Sequence, residues 1–341
     1  MLTLIRGAEL FTPEPAGRQD LLVAGPSILQ VSPRIEPRGL PVEVVDGRDR
    51  WLLPGIVDVL THPCGGGGEG GFANRTAEID AEEFIRAGVT SPVGALGTDS
   101  VTRSLEVLYG SVMALRERGL AAYMYSGAYR VPPPTLTGDL ARDLVLVEPV
   151  IGVGEVAVSD HRSSQPTRDE LRRLAADVRL GGILTGKQGT VFVHLGDGEP
   201  GLRPLQEALA GTDRPRRIFY PTHVNRNREL LEQTVDWVAA GSHADITVST
   251  TPELVAAGDI PALEAFDELV ESGAPAERIT FSSDAGGSLP LFEDGVLVGL
   301  QSASSAVLRE LLATVSRADE QRFSAVLAGL TRNPAEALGL R

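Results

Sequence analysis

IGVGEVAVSDHRSSQPTRDELRRLAADVRLGGILTGKQGTVFVHL, residues 151–195, holds the repeating unit of the fold. VGEVAV (153–158) and TVFVHL (190–195) are apolar runs of strand length, and TRDELRRLAADVRL (167–180) between them reads as a helix. Strand, helix and strand in that order imply a parallel sheet with helical crossovers. The alternation extends in both directions. GIVDVL (55–60), VTSPVGAL (89–96) and AAYMYSG (121–127) precede the unit, and RIFYPT (217–222), ADITVST (244–250) and RITFSSD (278–284) follow it. Helical stretches lie between them at 77–88, 100–119, 227–241 and 260–273, and two more, 302–315 and 319–330, come after the last strand. Eight strands alternating with helices over about 280 residues match a (β/α)8 barrel, for which about 250 residues is typical.

Residues 1–53 have a different pattern. LTLI (2–5), DLLVAG (20–25), SILQVS (27–32) and VEVVDG (42–47), separated by Pro and Gly turns, read as a small β domain, with the barrel occupying 54–341. The length of 341 residues and 42% hydrophobic content suit one large core with a small satellite. A net charge of −15 with dispersed basic residues argues against a nucleic-acid surface. No long uninterrupted apolar run or export signal is visible, so no membrane partner is expected. Cys64, the single cysteine, excludes an intrachain disulfide framework and suits a cytoplasmic protein.

Barrel enzymes build their sites at the C-terminal ends of the strands. His62 follows strand one, Glu155 lies in strand four, His194 ends strand five, His223 ends strand six and Asp284 ends strand eight. Imidazoles and carboxylates converging on one mouth suit Zn²⁺ or a similar ion, which generates hydroxide near neutral pH and polarises carbonyls. A metal hydrolase is the natural inference. Of the other histidines, His243 reads as a surface residue, and His161 as one that orients a neighbour. The run Gly65–Gly68 directly follows strand one and reads as a site loop.

PGIVDVLTHPCGGGGEGGF (54–72), VGALGTDS (93–100), SGAYRVP (126–132), IGVGEVAVSDHRSSQPT (151–167), VHLGDG (193–198), PTHVNRN (221–227) and TFSSDAGGS (280–288) together resemble the isoaspartyl (β-aspartyl) dipeptidases of the amidohydrolase superfamily. The resemblance runs from the N-terminal β unit to about Asn333-Pro334. It implies a TIM-type metallo-dependent hydrolase barrel with a small N-terminal β domain, homo-oligomers, and one or two zinc ions. The implied metal ligands are His62, Glu155, His194, His223 and Asp284. The family bridges two zinc ions with a carboxylated lysine or a glutamate. Glu155 takes that position here, since Lys187 is the only lysine and lies in the separate GKQG segment.

The implied reaction is hydrolysis of β-aspartyl dipeptides by metal-activated water, with Asp284 as general acid and base. Tyr129 would support the polarised carbonyl. A substrate with one ammonium and two carboxylates needs one acid and two bases in its pocket. The resemblance assigns Glu69 to the ammonium and Arg162 and Arg226 to the carboxylates, for which a guanidinium fork is suited. Thr98, Ser288 and the backbone at Gly67 and Gly68 would add polar contacts.

Two departures stand out. The family carries His-x-His on strand one, and Leu60 occupies the first of those positions. Cys64 is the available substitute ligand, against the simpler reading of a small buried residue. The chain also ends at Arg341, before the strands with which the family completes its small domain, so that domain is expected to be incomplete. Two alternatives therefore stand beside the dipeptidase: a mononuclear amidohydrolase acting on another amide, and an impaired relative that binds small amino-acid derivatives.

Overall fold

A computed structural model describes residues 2–293, 296–315 and 319–340. The chain opens with β1 (Leu2–Phe11), β2 (Pro15–Ala24), β3 (Ser27–Ser32), β4 (Val42–Asp46) and β5 (Trp51–Leu52). They form one sheet in the order β3-β2-β1-β4, with β5 also on β1. Its core is Leu4, Leu22 and Ile35. Ile28, Leu29 and Val31 on β3 and Val44 and Val45 on β4 stay exposed, so the sheet has an open apolar surface. Phe11, Trp51 and Phe323 meet with ring centroids 5.1–5.2 Å apart and join this sheet to the last third of the chain.

All eight expected barrel strands form: β6 (Ile56–Thr61), β7 (Val89–Gly94), β8 (Tyr123–Ser126), β9 (Val150–Val158), β10 (Thr190–Leu195), β11 (Phe219–Thr222), β12 (Ala244–Thr247) and β13 (Ile279–Ser282). β6 to β11 make one parallel sheet in sequential order, and β12 and β13 a second parallel pair. Backbone bonds close the curve: Val224 N donates to Asp245 O, and His62 N to Ala285 O. An antiparallel hairpin, β14 (Ser288–Glu293) with β15 (Val296–Ser302), follows the last barrel strand.

Helices α1 (Ala81–Ala87), α2 (Leu105–Glu117), α3 (Leu140–Leu146), α4 (Arg168–Thr185), α5 (Arg203–Leu209), α6 (Arg228–Ala239), α7 (Pro252–Ala257) and α8 (Ala262–Glu271) lie between the strands; α9 (Ala306–Val315), α10 (Glu320–Leu330) and α11 (Arg332–Leu338) follow. The sequence reading starts α1 too early because Asp80 caps it, its side chain accepting from Glu82 N. α4 begins on a capping box, Thr167 with Glu170, and ends on Gly186 in the left-handed conformation. α3, α5 and α7 have only six or seven residues, too few for a periodic signal, and were not anticipated; neither was the hairpin.

Side chains alternate across each strand, which sorts the barrel into two layers. On β10, Val191, Val193 and Leu195 face the helices, while Phe192 packs inward. Inside, Phe192 stacks on Tyr125 at 4.8 Å and meets Tyr220 edge-on at 5.2 Å. Leu60 belongs to this inner apolar cluster and is fully buried. The next inward residue on β10 is His194, so an apolar plug supports the mouth.

His243 departs from expectation. It is 8% exposed, its ring packs against Tyr220 at 5.9 Å, and burial pushes its pKa down to about 4. Lys187 lies far from the mouth in a different role. Its ammonium donates to Leu144 O (2.8 Å), Glu148 O (3.0 Å) and Val150 O (2.7 Å), with Val147 O at 3.3 Å. It thereby satisfies carbonyls at the end of α3 and the start of β9. Lys187→Met should cost about 1–3 kcal/mol of stability, the range for leaving buried acceptors unpaired. Urea denaturation checks this; an unchanged midpoint would mean that water replaces the ammonium at no cost.

Candidate metal centre and substrate pocket

Glu155 sits in β9 with its side chain 2% exposed, and its two oxygens face different partners. Oε2 lies 3.5 Å from His194 Nδ1 and 3.9 Å from His223 Nε2; Oε1 lies 3.6 Å from His62 Nε2. Ligand atoms of Glu155, His194 and His223 fall within 4.8 Å of one another, a set unique among the described residues. Among the described residues, Glu155 Oε2 is buried without a hydrogen-bond partner. A buried unpaired carboxylate oxygen is costly, and a cation is one partner that would offset that cost.

Each imidazole turns one ring nitrogen toward that point. His223 Nδ1 bonds Thr247 Oγ1 at 2.5 Å, which leaves Nε2 facing Glu155. His194 Nε2 is 3.0 Å from Asp160 Oδ2, which leaves Nδ1 on the inner side, 2.8 Å from the Tyr129 hydroxyl. A carboxylate holding the far nitrogen is a common way to set a ligating histidine's tautomer. Burial together with the nearby cationic side chains, Arg226 first among them, keeps the His223 pKa well below the usual imidazole value. Burial alone would raise Glu155, but the proximity of His194, with His62 and Arg162, outweighs it and holds the carboxyl below its usual range. Two imidazoles and one carboxylate fit a divalent cation.

Asp160 was not anticipated as a site residue. It is buried, and besides His194 it grips Arg162 through Nε at 3.0 Å and Nη2 at 2.8 Å. Despite its burial, these partners hold its carboxyl far below the usual range. Its position two residues before Arg162, on the loop after β9, was the only available signal. His161 is 85% exposed, and its Nδ1 lies 3.6 Å from Asp160 Oδ1.

His62 Nδ1 lies 3.0 Å from Ala95 O, and Nε2 lies 3.0 Å from Asp284 Oδ1. Gly97 allows this placement, since a Cβ there would sit 3.0 Å from the imidazole. Asp284 has a left-handed φ of 53°. Its segment is fastened by Asp58, which accepts from Ser283 N and Oγ at 3.0 and 2.5 Å. Cys64 packs in the helix-facing cluster, where burial pushes its thiol up to about 11, so it stays a protonated core residue.

The pocket above these groups is lined by Gly67, Thr98, Tyr129, Arg162, Arg226 and Ser288, with His62, Glu155, His194 and Asp284 at its base. His223 lies just behind His194, and Gly68 falls outside the lining. Glu69 stands at the edge, where Oε1 accepts from Thr98 Oγ1 at 2.9 Å and meets Arg162 Nη1 at 3.4 Å. Glu69 Oε2 and Arg226 Nε are buried without partners among the described residues. Tyr129 lies under Arg162, 5.4 Å from centroid to guanidinium, and burial and Glu155 push its pKa far up, so the phenol remains a donor.

The β-aspartyl dipeptidase of Fervidobacterium islandicum AW-1, solved with a β-Asp-Leu dipeptide, superposes on this chain with a TM-score of 0.89. It is 40% identical, over 99% of this chain and 88% of that one. The chain belongs to the β-aspartyl dipeptidase family. A D-hydantoinase at 18% identity and TM-score 0.61 shares the amidohydrolase barrel fold. A curated dihydroorotase of Staphylococcus aureus is 30% identical over 105 residues, a match spanning 31% of this chain and only 24% of that enzyme. No family model matches the chain. In this member of the family, as expected for a hydrolase of the amidohydrolase fold, the mouth of the barrel gathers the polar residues. No helix among the described residues is long and apolar enough to cross a membrane.

Asp160→Ala would remove the carboxylate from His194 Nε2 and leave Arg162 with Glu69 alone. The variant should bind divalent ions about 10- to 100-fold more weakly, as measured by competition with a chelating dye. Unchanged affinity would show that Asp160 does not govern the His194 tautomer.

Proposed function

We propose that this chain hydrolyses β-aspartyl dipeptides at a divalent-cation centre in the barrel of residues 54–341. The observation that carries this reading is the pair of buried, unpartnered polar atoms around the pocket, Glu69 Oε2 and Arg226 Nε, next to the unpaired Glu155 Oε2. Each lacks the partner that a zwitterionic dipeptide and a cation would bring. The substrate seen with the Fervidobacterium islandicum relative has this chemistry, a β-Asp-Leu dipeptide.

Glu155, His194 and His223 would hold the cation, and zinc is the ion we favour for two imidazoles with a carboxylate. When bound, the ion would supply Lewis acidity and a lowered water pKa. The side chains divide the remaining work. Glu69 receives the substrate ammonium. Arg226 takes a carboxylate, and Arg162 the second. Tyr129 donates its hydroxyl to the carbonyl oxygen as negative charge develops there. Asp284 takes a proton from the attacking water and delivers it to the departing amine. Thr98 and Ser288, with the main chain at Gly67, complete the polar wall. A cytoplasmic homo-oligomer is part of the same proposal, supported by the single buried cysteine and the open apolar sheet.

The test is hydrolysis of β-Asp-Leu and α-Asp-Leu by zinc-loaded protein, with release of leucine measured. We expect turnover of the β-linked peptide and little of the α-linked one. Asp284→Asn should lower kcat on the order of 10²- to 10⁴-fold. Arg226→Ala should cost about 1.5–3 kcal/mol in kcat/KM, the worth of a charged hydrogen bond. Metal and dipeptide binding without turnover would instead identify a non-catalytic relative.

A further inference from the structure

Glu155 offers its second oxygen, Oε1, to His62 Nε2 at 3.6 Å, so a second cation position is conceivable there beside the first. Three observations oppose it. Ligands around a tetrahedral ion at 2.0–2.1 Å lie roughly 3.3–3.4 Å apart. The contacts of Glu155 Oε2 with His194 and His223, 3.5 and 3.9 Å, leave that room. His62 Nε2 and Asp284 Oδ1, at 3.0 Å, are in direct hydrogen-bond contact. Ligand atoms of His62, Glu155 and Asp284 also do not close within 4.8 Å of one another as those of the first set do, among the described residues. Finally, the residue two before His62 on strand β6 is Leu60, fully buried in the inner cluster that includes Tyr125, Phe192 and Tyr220. Hydrocarbon fills the place from which another donor would come, and Cys64 packs in the other cluster.

The position is well built for another purpose. The Asp284 segment is bound to strand β6 by His62 N donating to Ala285 O at 2.6 Å and by Asp58 accepting from Ser283. The His62 ring continues that attachment to the carboxylate itself, with its other nitrogen fixed on Ala95 O. We propose that this chain binds one cation, at Glu155, His194 and His223, and that His62 is a positioning residue that bridges Ala95 O and Asp284. Leu60 is what closes the second position. This rests on the cation centre of the proposed function and determines its stoichiometry.

Chelator-stripped protein reloaded with excess Mn²⁺ and desalted should retain one ion per chain by atomic emission, with an uncoupled Mn²⁺ spectrum by electron paramagnetic resonance. Two ions with a spin-coupled spectrum would overturn the inference and leave the proposed reaction standing. No retained ion would remove the cation centre, and both proposals with it. His62→Gln should keep the single ion and a similar KM while kcat falls about 10- to 100-fold, the usual effect of losing a supporting partner. Loss of the ion from a variant with an unchanged circular dichroism spectrum would make His62 a ligand and refute the assignment. Leu60→His should gain a second ion, and a folded variant that still holds one would show that Leu60 is not what closes the position.

Discussion

The buried Glu155 carboxylate is the constraint around which the site is arranged. An ionised carboxylate this deep is tolerable only with compensating charge or hydrogen bonds on both oxygens. The described side chains leave Oε2 unpaired. The geometry on either side follows. His194 and His223 each spend one ring nitrogen on a polar neighbour, Asp160 or Thr247, so that the other can face this oxygen. On the proposed reading, the charge that would complete the mouth is a cation held by these three side chains.

That arrangement depends in turn on the apolar layer beneath it. Phe192 and His194 are two residues apart on one face of β10, so the stacking that locks Phe192 between Tyr125 and Tyr220 also fixes where the imidazole emerges. A polar set buried deeply on three different strands has to be held by shape, because each strand could otherwise slide in register. Asp58 and Asp245 extend the polar bonding into the barrel between the strands. Asp245 accepts from Thr222, Thr280 and Ser282, tying β11, β12 and β13 together beside the site. Burial raises both carboxyls, Asp58 to about 7 and Asp245 to about 6, and hydroxyl and amide donors offset part of that cost.

The barrel was legible because strand periodicity is local and each of the eight runs carries it. The residues at the strand ends were legible for a related reason: a closed parallel barrel brings every C-terminal end to one mouth, so His62, His194, His223 and Asp284 could be grouped without knowing any angle. What was not legible depends on side-chain direction across loops. Asp160 and His161 are adjacent, yet one grips His194 and Arg162 while the other faces solvent. His243 follows a helix in a polar GSHAD context, yet its ring turns inward against Tyr220. Nothing in spacing distinguishes such cases, because the loop backbone decides them.

Charge accounting refines the roles of the two arginines. Both were expected to meet substrate carboxylates on equal terms, but their surroundings differ. Arg162 is already held by Asp160 in a two-point ion pair and has Glu69 within 3.4 Å, so much of its field is cancelled before a ligand arrives. Arg226 Nε has no partner, and the nearby Asp259 carboxyl is raised to about 6 by burial, with Arg226 opposing that rise. A guanidinium with a buried, unpaired Nε gains more from an incoming carboxylate than one already paired. On the proposed reading, the substrate anion would therefore be met mainly by Arg226. Arg162, which is proposed to take the second carboxylate, also links Asp160 to Glu69 and so joins the partner of His194 to the group proposed to receive the ammonium.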